Sequence, residues 1–231
     1  MRQFRFIFLF SGILLSPAFC FSQDHLALQK EADAYFNKND IDNALAIGES
    51  ALNMAEVTVG KSHVDYADIL CDVAVYNAYT QNFEKAILQM EESLELFRKI
   101  GGETSKELSE AQSNYGTILY ISGDYIKAEQ HLIKGVEMTK FFHGEVSKEY
   151  AVSLGNLALV QESGLRKYTE AEKNLLNSKS ILEKLSLQDS VDYAVMLNNL
   201  GSIYQCMGDY LKAEQLYKEA AKADRKNGRD K

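Results

Sequence analysis

Proline occurs once in this 231-residue chain, at Pro17, and tryptophan is missing altogether. With no proline beyond residue 17, nothing forces a helix to break, and the body can be helical throughout. Basic stretches are also missing. The formal charge is −8, with acids and bases interspersed. Such a surface offers no basic stripe for nucleic acid and no attraction to an anionic membrane. Histidine occurs only at His25, His63, His131 and His143, none at metal-ligand spacing with another His or Cys, so a zinc site is unsupported. Gly60-Lys61-Ser62 echoes the end of a phosphate-binding loop. The glycine needed five residues earlier is Ala55, and no strand precedes it, so it reads as a turn. There is no nucleophile elbow. No catalytic residue, cofactor or metal is expected. What is present is ordinary globular composition, 46% hydrophobic and 25% charged, enough apolar material for a sizeable core.

The first segment differs from the rest. Arg2 and Arg5 precede an apolar run from Phe6 to Leu15, and Ala18-Phe19-Cys20-Phe21-Ser22-Gln23 follows Pro17. A charged, then apolar, then small plan is that of a secretory signal peptide, expected over residues 1–22. The apolar run is too short for a comfortable membrane span, and an uncleaved anchor is the alternative. A lipoprotein reading of Cys20 would need small residues where Pro17 and Phe19 stand. Cleavage removes two arginines and no acid, leaves no membrane span and implies a secreted or periplasmic protein in an oxidising compartment.

Five alanines mark an internal repeat: Ala44, Ala86, Ala128, Ala171 and Ala213, spaced 42, 42, 43 and 42. Twelve residues before each (thirteen once) stands Ala32, Ala74, Gly116, Ala158 or Gly201. Three residues before each is a large apolar residue: Ile41, Phe83, Tyr125, Tyr168 and Tyr210. Seven residues after come Ala51, Ser93, Gly135, Ser178 and Ala220. The spacing of 43 implies one extra residue near Gly164-Leu165-Arg166-Lys167. In the last repeat Leu197, Leu200, Gly201 and Tyr204 share one helix face. A tight turn at Gly208-Asp209-Tyr210 follows, then a second helix burying Ala213, Leu216, Tyr217 and Ala220. Small residues allow two helix backbones to cross closely; a larger side chain there costs about 1–3 kcal/mol of overpacking.

The connections are periodic too. Gly60, Gly102 and Gly144 are 42 apart, and His63, Ser105, Ser147 and Ser190 follow in register as N-caps. Two residues on stand Asp65, Glu107, Glu149 and Asp192, favoured by the dipole of a helix N-terminus. The expected fold is all-α: a right-handed superhelical solenoid of about five helix-turn-helix hairpins. The array spans 23–225, with repeats near 24–62, 63–104, 105–146, 147–189 and 190–225, and a polar tail at 226–231. Cys71 and Cys206, three repeats apart, are too distant for a disulfide and are expected to be buried or half-buried.

Leu197, Leu200-Gly201, Tyr204, Gly208-Asp209-Tyr210, Ala213, Tyr217 and Ala220 resemble the tetratricopeptide repeat pattern. The 42-residue length is similar to the kinesin light chain type, as are Asp192–Gly201 and Tyr150–Ala158. Glu31 and Gly48 replace large apolar residues in the first repeat, and Asn77, Leu119 and Gln161 replace a tyrosine, which predicts looser packing in the middle. The resemblance implies a scaffold binding a protein or peptide in a concave groove. In bacteria the longer repeat resembles arrays that precede a CHAT protease or a signalling module. A regulatory part acting through an effector on another chain is therefore one alternative. Self-association through an uncapped C-terminal repeat is another.

One further register runs Lys30, Asp72, Asn114, Asn156 and Asn199, one residue per repeat. In similar repeats an asparagine here bonds the backbone of a bound peptide, because an amide donates and accepts at once; tying hairpins together is the other reading. Thr117, Tyr79 and Tyr120 are further groove candidates, the two tyrosines equally readable as packing. At the places of the chaperone-binding carboxylate clamp stand Gln29 and Asp33, and an aspartate repels a carboxylate.

Overall fold

The computed structural model describes residues 24–226; the expected signal peptide and tail residues 227–231 lie outside them. Among the described residues there are ten α-helices and no strand. They are α1 (Asp24–Phe36), α2 (Ile41–Thr58), α3 (Val64–Tyr79), α4 (Phe83–Gly101) and α5 (Lys106–Ser122). Then come α6 (Tyr125–His143), α7 (Lys148–Leu159), α8 (Tyr168–Lys184), α9 (Val191–Cys206) and α10 (Tyr210–Lys226). Consecutive helices pair as five antiparallel hairpins, which stack in order into a right-handed superhelical solenoid. Each hairpin buries one face within itself and another against its neighbour.

The small residues stand at the crossings. Ala32, Ala74, Gly116, Ala158 and Gly201 on the first helices are buried, as are Ala44, Ala86, Ala128, Ala171 and Ala213 on the second. The serines seven residues on do more than save space: Ser93 Oγ donates to Ala67 O at 2.8 Å and Ser178 Oγ to Ala151 O at 2.8 Å. A backbone carbonyl of one helix is thereby tied to its hairpin partner. The first repeat lacks a large residue at Gly48 because the ring of Tyr76, from the next hairpin, fills that space: a β-carbon on Gly48 would stand 3.0 Å from it.

Four hairpin turns close with a backbone N–H returning to a carbonyl five residues earlier, Asp40 to Tyr35, Asn82 to Asn77, Asp124 to Leu119 and Asp209 to Tyr204, and in the fourth repeat Lys167 N–H returns six residues to Gln161. The five-residue return is the Schellman closure, which needs one left-handed residue. Gly123 and Gly208 supply it in two turns; Asn39, Gln81 and Arg166 take φ between 56° and 65° in the others. The fourth repeat carries the extra residue as a π-helical turn, Val160–Gly164, with Leu165 N donating to Val160 O. A π-turn inserts one residue without breaking the helix, so the stacking register recovers by α8. Between hairpins, Gly60, Gly102, Gly144 and Ser186 have positive φ. Ser105, Ser147 and Ser190 then accept from the N–H of Leu108, Tyr150 and Tyr193, and His63 from that of Asp65.

Two expectations are corrected. The middle is not loosely packed: Asn77, Leu119 and Gln161 are 0%, 2% and 6% exposed. Asn77 Nδ2 donates to Gln89 Oε1 at 2.9 Å, and Asn174 Nδ2 to Gln161 Oε1 at 2.8 Å, so paired amides bridge the helices where a tyrosine would stand. Cys206 is exposed, at the last turn of α9, while Cys71 is buried as expected; both are free thiols.

Gly116 and Gly155 separate the packing and propensity effects of glycine. A β-carbon on Gly116 would meet Leu132 Cγ at 2.5 Å and Ala128 O at 3.2 Å, whereas one on Gly155 would meet nothing within 4 Å. Gly116→Ala is therefore expected to lower the melting temperature. Gly155→Ala, which only relieves a helix-interior glycine, is expected to raise it by roughly 2–4 °C per kcal/mol gained, of about 1 kcal/mol available. Thermal circular dichroism of the two variants checks both signs.

Candidate functional site

Two adjoining cavities lie along α5, α7 and α9. The first, of about 480 Å³, is bordered by Glu110 and Asn114 of α5, Lys148, Val152 and Asn156 of α7, and His143 at the end of α6. The second, of about 170 Å³, is bordered by Val152, Gly155 and Asn156 of α7, Leu182 of α8, and Val195, Met196 and Asn199 of α9. They share Val152, Asn156 and Asp192. The helices reach them in register because each hairpin repeats the same crossing. One face of three first helices therefore forms a continuous trough.

The structure brings Asn114, Asn156 and Asn199 together along this trough. Asn114 Nδ2 lies 3.3 Å from Cys71 Sγ, a weak acceptor on the neighbouring helix. The carboxamides of Asn156 and Asn199 have no hydrogen-bond partner among the described residues, and both residues are only half-buried. Asp72, in the same register, is held by Gln29, whose Nε2 donates to it at 2.7 Å and to Asp68 at 2.9 Å. Burial pushes the Asp72 carboxyl up to about 7; the Gln29 hydrogen bond opposes this, and the charges of Asp68, Asp33 and Glu110 add to it. Burial raises Asp68 and Glu110 as well, each against a neighbouring donor or cation, Gln29 for Asp68 and Lys106 for Glu110.

Neither cavity is bordered by Lys30, Thr117, Tyr79 or Tyr120. Lys30 is exposed on α1. Thr117 Oγ1 donates back to Ser113 O at 3.1 Å within its own helix. Tyr79 stands edge-on to Phe36, ring centroids 5.2 Å apart, and the Tyr120 hydroxyl meets Ser163 Oγ of the next repeat at 2.9 Å. Both rings are engaged in joining consecutive repeats. The first-turn acids are engaged too: Asp192 pairs with Lys148 at 2.9 Å, and Asp65 with the fully buried His25 at 3.1 Å. Glu110, Val152 and Val195 were not singled out from sequence. They stand four residues before Asn114, Asn156 and Asn199, one helical turn away, so the asparagine register itself carries the signal. No group of three or more His, Cys, Asp or Glu stands where it could hold a metal ion among the described residues.

The profile of the tetratricopeptide repeat family matches residues 24–99 and 162–226. A comparison with curated proteins finds no match. Among solved structures the fold is similar to BtubC (bKLC) from P. vanneervenii, with TM-score 0.70 and 21% identity over 90% of this chain and 89% of that one. It is similar to the kinesin light chain TPR-like repeats of Podosopora anserina, with TM-score 0.70 and 15% identity over 94% and 100%. The Rap conjugation gene regulator of plasmid pLS20, solved in complex with the Phr* peptide, has TM-score 0.72 and 16% identity over 98% of this chain and 60% of that one. At such identities the likeness establishes the fold.

The raised Asp72 carboxyl has a consequence for stability. Its folded value, about 7, lies above the ordinary carboxyl value of 3.8. The stability it contributes is therefore fully present below about 3.8 and lost as pH rises through 7. Asp72→Asn keeps an acceptor for Gln29 and carries no charge. It is expected to match the wild type at low pH and to exceed it at pH 8 by roughly 2–4 °C in melting temperature. Thermal unfolding at pH 4 and pH 8 measures this, and equal melting temperatures at pH 8 would refute it.

Proposed function

This chain belongs to the tetratricopeptide repeat family, and we propose that it is an exported scaffold holding an extended peptide segment of a partner protein along its concave groove. The observation that carries the reading is the pair of unpartnered amides, Asn156 and Asn199, aligned with Asn114 along two joined cavities. An extended backbone presents N–H and C=O groups alternately, and a carboxamide can serve both. Neighbouring helices stand about 8–10 Å apart, while a strand rises about 3.3 Å per residue. One asparagine per repeat thus meets about every third residue of the peptide, with no demand on its side chains. The Phr* peptide held by the Rap regulator supports a peptide ligand for this fold. The charged, apolar and small segments of residues 1–22 support export.

Panning a randomised decapeptide display library tests the groove. Peptides are expected to enrich on the full chain and to be lost from a variant with Asn114, Asn156 and Asn199 all changed to Ala, its circular dichroism unchanged. Retention of the same peptides by the variant would make the amides structural. Export is tested separately by the mass of the natural protein: a start near Gln23 in an exported fraction supports it, and an intact Met1 in the cytosol refutes it.

A further inference from the structure

One turn before Asp72, Asn114, Asn156 and Asn199 stand Asp68, Glu110, Val152 and Val195, on α3, α5, α7 and α9. The wall of the groove therefore changes character between the third and fourth repeats. On the α3–α5 side, the carboxylate of Glu110 borders the larger cavity, with Asp68 and Asp72 near enough to repel it and each other. The cationic groups nearby are already engaged: Lys106 stands 4.0 Å from Glu110, His143 stands 3.7 Å from Glu149, and Lys148 is paired with Asp192 at 2.9 Å. On the α7–α9 side, Val152, Val195, Met196 and Leu182 enclose the smaller cavity. Gly155 leaves its floor open, with nothing within 4 Å of a β-carbon placed there. At about 170 Å³ it has the volume of several waters, each of about 30 Å³ in the liquid, which is room for a branched aliphatic side chain.

Resting on the reading of this groove as a peptide site, we propose that its ligand is a cationic segment, with a lysine or arginine facing Glu110 and an apolar side chain seated between Val152 and Val195. The two walls are about one repeat apart, so the two anchors stand about three residues apart in the extended peptide. Carboxylates on an open surface are satisfied by water. Glu110 borders an amide-lined cavity that runs directly into an apolar one, so a single extended chain meets both; Asp68 and Asp72 stand behind it, tied to each other through Gln29. The unpartnered amides hold its backbone; the walls select its side chains.

The composition of the selected peptides is the test. The full-length wild type is panned with the decapeptide library beside Gly155→Leu and beside a triple variant of Asp68→Asn, Asp72→Asn and Glu110→Gln. Gly155→Leu places a side chain in the open cavity and replaces a helix-interior glycine, so folding is retained. On the wild type, Lys or Arg about three residues from Leu, Ile, Val or Met is expected to enrich by about threefold or more over the input. The triple variant is expected to lose the cationic preference alone, and Gly155→Leu the apolar one alone. Neutral or acidic peptides selected on the wild type, still dependent on the three asparagines, overturn this inference and leave the peptide-binding reading intact. No enrichment on the wild type overturns both. A concentration-dependent dimer by sedimentation, abolished by Gly155→Leu, makes the occupant a second copy of this chain and also overturns the cationic ligand.

Discussion

Two helices can cross this closely only where both lack side-chain bulk, and every other feature of the molecule depends on that approach. Ala86 against Ala74, and Ala171 against Ala158, bring backbones near enough for Ser93 and Ser178 to hydrogen-bond carbonyls on the opposite helix. The close crossing fixes the angle within a hairpin and with it the face the hairpin offers to the next. Stacking then needs only that the crossing recur at a constant interval. The fourth repeat shows how strict that need is. Its additional residue is absorbed in a single π-turn ahead of the hairpin loop, so that Ala171 still meets Ala158. An insertion left in the helix body would have rotated the following face by about 100°, and the groove would have lost its alignment.

Positions where physics admits few residue types were legible before any coordinates. Crossing residues must be small, caps must accept from an N–H, and an acid in the first turn meets a favourable dipole. The alanines, Ser105, Ser147, Ser190 and the first-turn acids were accordingly readable, and each stands where expected. Three kinds of position were not. Left-handed turn residues are announced only when they are glycine; Asn39 and Gln81 adopt the same conformation inside a Schellman closure, and Arg166 inside the wider closure from Lys167 to Gln161. Buried amides look like defects one at a time, and Asn77 and Gln161 make sense only with Gln89 and Asn174, twelve and thirteen residues away across the hairpin. Cys206, Tyr79 and Tyr120 sit near turns at helix ends, where exposure depends on how the next repeat lies, not on the helical period.

The groove was partly legible for a related reason. The asparagine register recurs without any packing need that an amide would serve better than an apolar residue, so it stood out. Its neighbours one turn earlier did not stand out, because Asp, Glu, Val and Val share no chemistry. Their significance is in the order, which only matters once α3, α5, α7 and α9 are known to line one surface.

In the proposed peptide-binding reading, that division separates two functions within one trough. Hydrogen bonds to a peptide backbone are indifferent to sequence, since every residue but proline offers the same N–H and C=O. A scaffold relying on them alone would bind many extended segments weakly. Side-chain walls add discrimination: a carboxylate facing a like charge costs energy that a facing lysine relieves, and an apolar recess rejects a polar side chain that cannot pair inside it. Because the walls sit on successive repeats at a spacing set by helix packing, discrimination between peptides becomes a matter of spacing along the ligand. Altering one wall residue changes which segment is chosen without disturbing the crossings that hold the array together. A repeat array can therefore vary its choice of partner while its alanines stay constant.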